Sequence, residues 1–368
     1  MHILITGSKG FIGKNLFVEL SQSQKYTIDT FNREDDLSDL DKKVFKSDAI
    51  FHLAGENRPK DEEEFEIGNY QLTKTICKVI EKHKKNIPVI FSSSTQVDED
   101  NPYGKSKLAA ENVLSNLVKK TGCPVIIYRL PGVFGKWSKP NYNSVVATFC
   151  YNIANQLPIK INPSKKKIPL VYIDDVIKSF INSLQNHSSK LDWVDVNPVH
   201  LISIQELANQ IELFYDSRKS LLTERVGTDL TRALYATYLS FLSPKQFTYD
   251  IPLFPDDRGV FAEVLKTYDS GQISFFTSKP GITRGEHFHH SKSEKFIIIK
   301  GKARFRFRHL ITNERFELFS SSDNIKVVET IPGWVHDITN VGENEMIVML
   351  WANEIFDRKE PDTISSEV

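Results

Sequence analysis

The sequence predicts a doubly wound, parallel α/β sheet over its first two-thirds, followed by an all-β barrel. Three observations carry that expectation. A short apolar strand, His2 to Thr6, runs into the turn Gly7-Ser-Lys-Gly10-Phe-Ile-Gly13 and then into helical periodicity from Phe11 to Leu20. Strand and helix patterns alternate from there to about residue 243. After Ser243-Pro244 the chain changes to short strands and turns with almost no helical period. Ala303-Arg-Phe-Arg-Phe-Arg308 is a clean period-two strand, entered through the hairpin turn Lys300-Gly-Lys302. Domains are therefore expected at 1–243 and 244–368.

Composition narrows the class. A chain of 368 residues suits two domains, and 40% hydrophobic with 26% charged residues is ordinary for a water-soluble globular protein. Lysine plus arginine balances aspartate plus glutamate at 47 each, which argues against nucleic acid or a membrane surface as partner. Cys77, Cys123 and Cys150 are an odd set in core-like stretches, so a disulfide framework is not expected. The amino terminus runs directly into a strand, and no apolar run reaches about 18 residues. A reducing, cytoplasmic setting is the expectation.

The first elements point to a dinucleotide. Glycines let the strand turn sharply and let backbone approach a pyrophosphate, while the helix start offers free N–H groups. Gly7, Lys9, Gly10, Phe11, Ile12 and Gly13 are the candidate contacts in this Rossmann-type turn. The second strand, Tyr26 to Phe31, ends in Asn32-Arg33, where an acidic residue would suit the ribose hydroxyl of NAD. Arg33 suits a 2′-phosphate instead, so NADPH is the expected cofactor. The third strand, Ala49 to Leu53, leads into Ala54-Gly55, so Leu53, Ala54 and Gly55 can let the dinucleotide lie against the strand end.

A further strand, Pro88 to Phe91, ends in Ser92-Ser93-Ser94, and Tyr103-Gly-Lys-Ser-Lys107 opens the next helix. Tyr103 and Lys107 are four apart and share a helical face. A lysine ammonium near the phenol lowers its pKa, so Tyr103 can give a proton to a carbonyl oxygen as hydride arrives. A serine hydroxyl would hold the same oxygen.

These residues resemble the extended short-chain dehydrogenase/reductases, the family of nucleotide-sugar epimerases, dehydratases and reductases. The resemblance covers residues 1 to about 243. It implies Ser94, three before Val97, as the catalytic serine, with Tyr103 and Lys107 as the family's pair. It also implies Asn69 as the asparagine that helps hold the active-site helix, counted among the cofactor-site residues. Tyr128-Arg-Leu-Pro-Gly-Val-Phe-Gly135 resembles a later family segment, with Gly132 where asparagine is usual. Ile168 to Val176 and Ile202 to Leu207 resemble two more. Between them, Lys136 to Ser144 reads as a loop over a polar ligand, with Lys139, Asn141 and Asn143 as candidate substrate contacts. Lys165, Lys166 and Lys167 read as a solvated turn. Leu221 to Ser243 reads as an aromatic helix clamping two domains or two subunits, and a homodimer is expected.

The last third holds Arg284-Gly-Glu-His287-Phe-His289-His290-Ser-Lys-Ser-Glu294, and later His336 after the turn Pro332-Gly333. His287 and His289 are two apart on an extended segment and share a face. Histidines with one carboxylate suit Zn²⁺ or another first-row divalent ion with a position open for substrate. The spacings resemble the two motifs of the cupin family, which implies His287, His289, Glu294 and His336 as ligands. His290 has no counterpart there and stands as an outer group, a base or a substitute ligand. Asp256-Asp-Arg-Gly and Arg284-Gly-Glu-His287-Phe also resemble the sugar-nucleotide 3,5-epimerases, themselves cupins, in which that histidine is the base and no metal is bound. His287 is thus ligand or base, and Arg284 a candidate substrate contact.

A 4-keto sugar is acidic at C3 because the enolate spreads onto the C4 oxygen, and reduction of the ketone then locks the new stereocentre. Over nearly its whole length the chain is similar to bifunctional capsular-polysaccharide enzymes that join such a reductase to a cupin. Pro140 to Phe149, Leu234 to Leu239 and Asn353 to Asp357 belong to that likeness. The resemblance implies C3 epimerisation of UDP-2-acetamido-2,6-dideoxy-4-hexulose and NADPH-dependent reduction at C4. The product would be UDP-2-acetamido-2,6-dideoxy-L-talose, on the way to UDP-N-acetyl-L-fucosamine. The alternatives are the same chemistry on a dTDP-linked 4-keto sugar and a non-enzymatic sensor of NADPH and sugar.

Overall fold

The computed structural model describes residues 1–161, 166–186 and 190–368. Lys165 of the lysine turn lies outside the described residues. Contacts divide the chain into two units: Met1–Ile211 with Ala233–Leu242, and Glu212–Arg232 with Ser243–Val368.

The first unit is built on a six-stranded sheet, parallel throughout. In spatial order its strands are Thr27–Phe31, His2–Thr6, Ala49–His52, Val89–Ser94, Val125–Leu130 and Leu191–Trp193. The central strands are apolar on both faces, as a sheet covered by helices on both sides requires. On one face Leu40, Val44, Ile76, Ile80, Ala110 and Leu114 pack from three helices onto Leu4, Ile50, Val89 and Ile127. On the other, Phe180 of the helix Ile173–Gln185 lies against Phe51 and Tyr128. The order of strands reverses between His2–Thr6 and Ala49–His52. In such sheets ligands bind beyond the carboxyl ends of the strands at that crevice.

The helix that carries Tyr103 and Lys107, Pro102–Thr121, has legible ends. Asn101 caps it by accepting from Gly104 N–H at 2.7 Å, Pro102 occupies the first turn, and Gly122 ends it in a left-handed conformation. A small mixed sheet of Gly132–Phe134, Lys167–Tyr172 and His200–Ser203 completes the unit's named strands.

Residues 221–243 are less helical than expected. Leu222–Thr223 pairs as a strand with Lys266–Thr267, and the helix spans only Asp229–Leu239. The three-four apolar spacing begins only at Leu230, past Gly227, so the upstream backbone finds a better partner at a sheet edge.

The second unit is all strand over 253–368 apart from turns. One antiparallel sheet runs Gly259–Thr267, Gln272–Ser278, Met346–Ala352, Glu294–Lys300 and Val328–Glu329, with Leu222–Thr223 at its edge and Leu253–Asp256 also on Gly259–Thr267. A second runs Arg315–Ser321, Lys302–His309, Trp334–Asn340, Thr283–Phe288 and Ile364–Ser365. Phe276, Phe296, Ile298 and Val348 of the first share one core with Phe305, Phe307 and Ile338 of the second. The expected β-domain is present, but as two face-packed sheets: among the described residues no strand pairing closes them into a barrel.

Candidate functional site

A cavity of about 520 Å³ sits at the switch point of the first unit. Gly7, Lys9 and Gly10 line it from the first strand-to-helix turn, Arg33 from the second strand's end, and Leu53, Ala54 and Gly55 from the third's. Phe11, Ile12 and Gly13 form the first turn of the adjoining helix Phe11–Ser21, outside that lining. The volume and the glycine-edged walls fit a dinucleotide. Arg33 is exposed at the rim, where it donates to Glu56 at 2.6 Å and Glu64 at 3.1 Å. Lys9 pairs with Glu34 beside it.

Gly55 packs against the side chains of Asn69 and Lys107. A Cβ there would lie 2.7 Å from Asn69 Oδ1 and 3.0 Å from Lys107 Nζ, so no larger residue fits without displacing both. Asn69 sits in a π-helical stretch, Glu66–Gln71, and bonds Ser106 at 2.9 Å while its amide brackets the Glu56 backbone at 2.9 and 3.0 Å. It therefore ties the third strand's end to the Tyr103 helix.

Ser94, Tyr103 and Lys107 converge there. Burial pushes the Tyr103 hydroxyl above its ordinary pKa, and a hydrogen bond with Ser94 pulls it down. The lowering partner is thus the serine rather than the lysine, whose ammonium donates to the Ser92 carbonyl at 2.8 Å and lies 4.8 Å over Phe91. Burial pushes Lys107 down to about 8. Beside them Ser93 bonds Glu111 at 2.5 Å, and Arg129 grips that carboxylate with two nitrogens, at 2.8 and 3.1 Å.

Beneath the site lies a relay that sequence reading missed. His52 is fully buried between Thr6 and Thr73, with both ring nitrogens 2.8 Å from hydroxyls. The Thr73 hydroxyl donates to the Asn69 carbonyl at 2.6 Å, so it accepts from His52 Nε2–H, and His52 Nδ1 accepts from Thr6. Burial lowers the imidazole to about 3, which keeps it neutral. Nothing local in the sequence marks these partners, which come from three separate elements.

The substrate candidates Lys139, Asn141 and Asn143 lie exposed on the loop before the helix Val145–Ala154. Asn141 takes a positive φ of 53° and its N–H donates to Thr148 at 3.0 Å. Tyr142, between them, is half-buried and hydrogen-bonds Glu56, the carboxylate that also holds Arg33. Glu56 was likewise missed, since it touches Arg33 across 23 residues of chain.

In the second unit His287, His289, Glu294 and His336 bring their ligand atoms within 4.8 Å of one another. His289, Glu294 and His336 are buried. His289 Nδ1 lies 2.5 Å from the carbonyl of Asp362, which can only accept, so the proton is on Nδ1. Its Nε2 lone pair then faces a Glu294 oxygen at 3.2 Å. His336 lies 3.4 Å from the same oxygen, yet neither of its ring nitrogens makes a hydrogen bond among the described residues. A lone pair aimed at a buried carboxylate with no proton between, beside a buried imidazole without a partner, is an arrangement that a divalent cation would complete, and the donor set fits zinc. Burial lowers His287 to about 4, with His336 adding to the effect. Burial raises Glu294, but the contacts with His289 and His336 outweigh it and hold the carboxyl well below the usual range.

His290 is not brought to this group. It is exposed, edge-on to Phe288 with ring centres 5.4 Å apart. Arg284 shares a face with the cluster for a reason invisible in sequence. A bulge between Gly285 and His287, with Glu286 at φ 59°, resets the two-residue alternation. Arg284 opposes Ile338 and His287 opposes His336, and 336 and 338 lie on one side of their strand. Gly285 is required: a Cβ there would lie 2.8 Å from the His336 carbonyl, at a φ of 102°. The Arg284 guanidinium is mostly buried over Phe276, reaches Asp256 at 3.4 Å, and leaves its Nε without a partner among the described residues.

Comparisons with known proteins cover both parts of the chain. Residues 3–197 match the NAD dependent epimerase/dehydratase family, and 254–364 the polysaccharide biosynthesis C-terminal domain. A UDP-2-acetamido-2,6-beta-L-arabino-hexul-4-ose reductase of Pseudomonas aeruginosa is 52% identical, covering 100% of this chain and 99% of that protein. The crystal structure of the capsular polysaccharide assembling protein CapF of Staphylococcus aureus superposes over 100% of both chains with a TM-score of 0.92 at 39% identity. A dTDP-4-dehydro-6-deoxyglucose reductase of Escherichia coli is 26% identical over 57% of this chain and 80% of its own. The chain belongs to the NAD-dependent epimerase/dehydratase family, as a CapF-like member in which that fold is joined to a polysaccharide biosynthesis C-terminal domain.

Proposed function

We propose that the chain is a bifunctional nucleotide-sugar enzyme of capsule or O-antigen synthesis. Residues 1–243 form its NADPH-dependent reductase domain, and residues 244–368 a cupin that epimerises C3 of UDP-2-acetamido-2,6-dideoxy-4-hexulose. The reductase then yields UDP-2-acetamido-2,6-dideoxy-L-talose. Full-length likeness to a reductase of a UDP-linked hexul-4-ose supports the substrate. The observation that carries the two-step reading is the cation-demanding cluster of His287, His289, Glu294 and His336 in the same chain as Ser94, Tyr103 and Lys107.

In the reductase, the residues lining the switch-point cavity would hold a nicotinamide cofactor, which would supply the hydride to C4. Tyr103 gives its phenolic proton to the carbonyl oxygen, leaving the alcohol, and Ser94 holds that oxygen in line. Lys107 stabilises the tyrosinate left behind. Arg33 at the rim takes the 2′-phosphate, which must displace Glu56 and Glu64 from it. Lys139, Asn141 and Asn143 offer polar groups for the sugar nucleotide.

In the cupin, a zinc ion or other first-row divalent ion held by the three histidines and Glu294 would act as a Lewis acid on the C4 oxygen. Arg284, with an unpartnered Nε–H, is poised to bind the oxygen on which enolate charge develops. His290 is the candidate proton carrier of this scheme: its exposed ring lies outside the cluster, so it has to turn toward bound substrate to remove the C3 proton, and a second group or water returns a proton on the opposite face. His290→Ala is expected to stop exchange at C3 without changing metal content.

The test offers the purified protein NADPH with the UDP-linked 4-keto sugar or a dTDP-linked 4-keto-6-deoxyhexose. Absorbance loss with the UDP sugar is expected. Loss with the dTDP sugar alone overturns the substrate, and loss with neither overturns the enzyme reading.

A further inference from the structure

The end of the chain is bonded to the histidine loop far more heavily than an exposed terminal segment requires. The Asp362 carboxylate accepts from three successive backbone N–H groups, those of His290, Ser291 and Lys292, each at 2.9 Å, and from the Ser291 hydroxyl at 3.1 Å. Asp362 itself is held at φ 36°, a strained backbone for a residue with a side chain. Its carbonyl takes the proton of His289 Nδ1. On either side the tail is pinned again. Lys292, itself buried, donates to Thr363 at 2.9 Å, Ile364–Ser365 pairs with His287 and Phe288, and Arg308 bonds the Ser366 hydroxyl at 3.0 Å.

Two consequences follow from these bonds. Three amides converging on one carboxylate fix the path of the loop that joins His289 to Glu294. The carbonyl fixes the His289 tautomer, so its Nε2 lone pair, and not an N–H, is presented to Glu294. An outer partner of this kind orients a ligand and raises its basicity.

We propose that Asp362 is a positioning residue of the cation site: through its carboxylate and its carbonyl it holds His289 ready to bind a divalent ion. The proposal rests on the metal reading above, and it makes the last residues of the chain part of the site.

The test compares wild type, Asp362→Gly and Asp362→Asn as full chains. Glycine accepts the left-handed backbone, so Asp362→Gly removes the carboxylate without adding strain. Zinc affinity is read by chelator competition, and ligand geometry by the visible spectrum of the Co²⁺-loaded protein. The His289 tautomer is read by ¹⁵N NMR of the metal-free protein. Asp362→Gly keeps the carbonyl but frees the segment that carries it, so it is expected to weaken zinc binding by about tenfold to a hundredfold, change the Co²⁺ spectrum and, as the carbonyl leaves Nδ1, convert His289 from a single Nδ1–H form to a mixture. Asp362→Asn, which keeps a neutral acceptor, should fall between. Wild-type affinity, spectrum and tautomer in Asp362→Gly overturn the proposal. If that variant does not fold, Asp362→Asn decides: intermediate affinity supports the assignment and unchanged affinity overturns it. If wild type binds no zinc or cobalt, the metal reading fails, and the tautomer alone decides whether Asp362 positions His289.

Discussion

The two candidate sites satisfy their polar atoms in opposite ways. In the first unit the side chains around Tyr103 are bonded to one another: Asn69 to Ser106, Lys107 to the Ser92 carbonyl, Ser93 to Glu111, and His52 between two threonines. The site stands complete in protein atoms and leaves a cavity beside it. In the second unit His289 presents a lone pair to Glu294, and among the described residues neither His336 nor the Arg284 Nε has a hydrogen-bond partner. A preorganised site of the first kind needs a ligand only for chemistry. One of the second kind would gain stability from a bound cation as well, because buried unsatisfied nitrogens are costly.

The largest effect that bears on this contrast is at Tyr103. Tyr103→Phe is expected to slow NADPH oxidation by about 10²–10⁴-fold, while solvent deuterium still enters C3 of the keto sugar. An unchanged oxidation rate removes Tyr103 as the acid. If deuterium entry fell with it, the two sites would not be chemically separate.

Next in size is the reverse experiment. His336→Ala, or a chelator, should abolish deuterium entry at C3 and raise the thermal lability of the second unit's transition, with NADPH binding retained. Exchange that survives both treatments would make any bound metal structural at most.

A subtler comparison uses pH. Lys107 is pushed down to about 8 by burial, so its charge is lost within the working range. The rate constant kcat/KM for NADPH oxidation should fall above pH 8, by up to about tenfold per unit. A profile flat to pH 10 would mean the ammonium is not required.

The smallest effect concerns the relay. His52 is neutral in the fold with a pKa of about 3, against 6.5 when free. Between those values the unfolded chain binds a proton that the folded chain does not, so stability falls as pH drops through that window. The slope is at most about 1.4 kcal/mol per pH unit. Urea unfolding of His52→Gln between pH 7 and 5 should show a shallower acid loss than wild type. Equal slopes would show that His52 is not what makes the first unit acid-sensitive.

Much of this was legible in the sequence where chemistry is local. The glycine turn, the serine-ended strand and the Tyr103–Lys107 spacing each depend on one strand end or one helical turn, and the structure has those elements at those residues. His287, His289, Glu294 and His336 could be grouped because they follow motif spacings. What stayed hidden depends on tertiary geometry. Arg33 meets Glu56 and Glu64 across 23 and 31 residues, and His289 meets Asp362 across 73. No pattern of neighbours encodes such pairs. Period-two reasoning also separates Arg284 from His287, because it cannot see a positive φ at Glu286.

That bulge changes how the strand tolerates editing. Replacing the Glu286 side chain leaves the bulge in place, so Arg284 and His287 keep their shared side. Deleting residue 286 would remove the bulge and leave Arg284 and His287 two apart on a regular strand, again on one side, whereas straightening the bulge with every residue kept would turn Arg284 to the opposite side from the histidines. The relation between the cationic side chain and the imidazoles is thus stored in the bulge rather than in residue identity. A redesign that shuffles side chains or trims the bulged residue is forgiving here, whereas one that flattens the bulge at full length inverts the site.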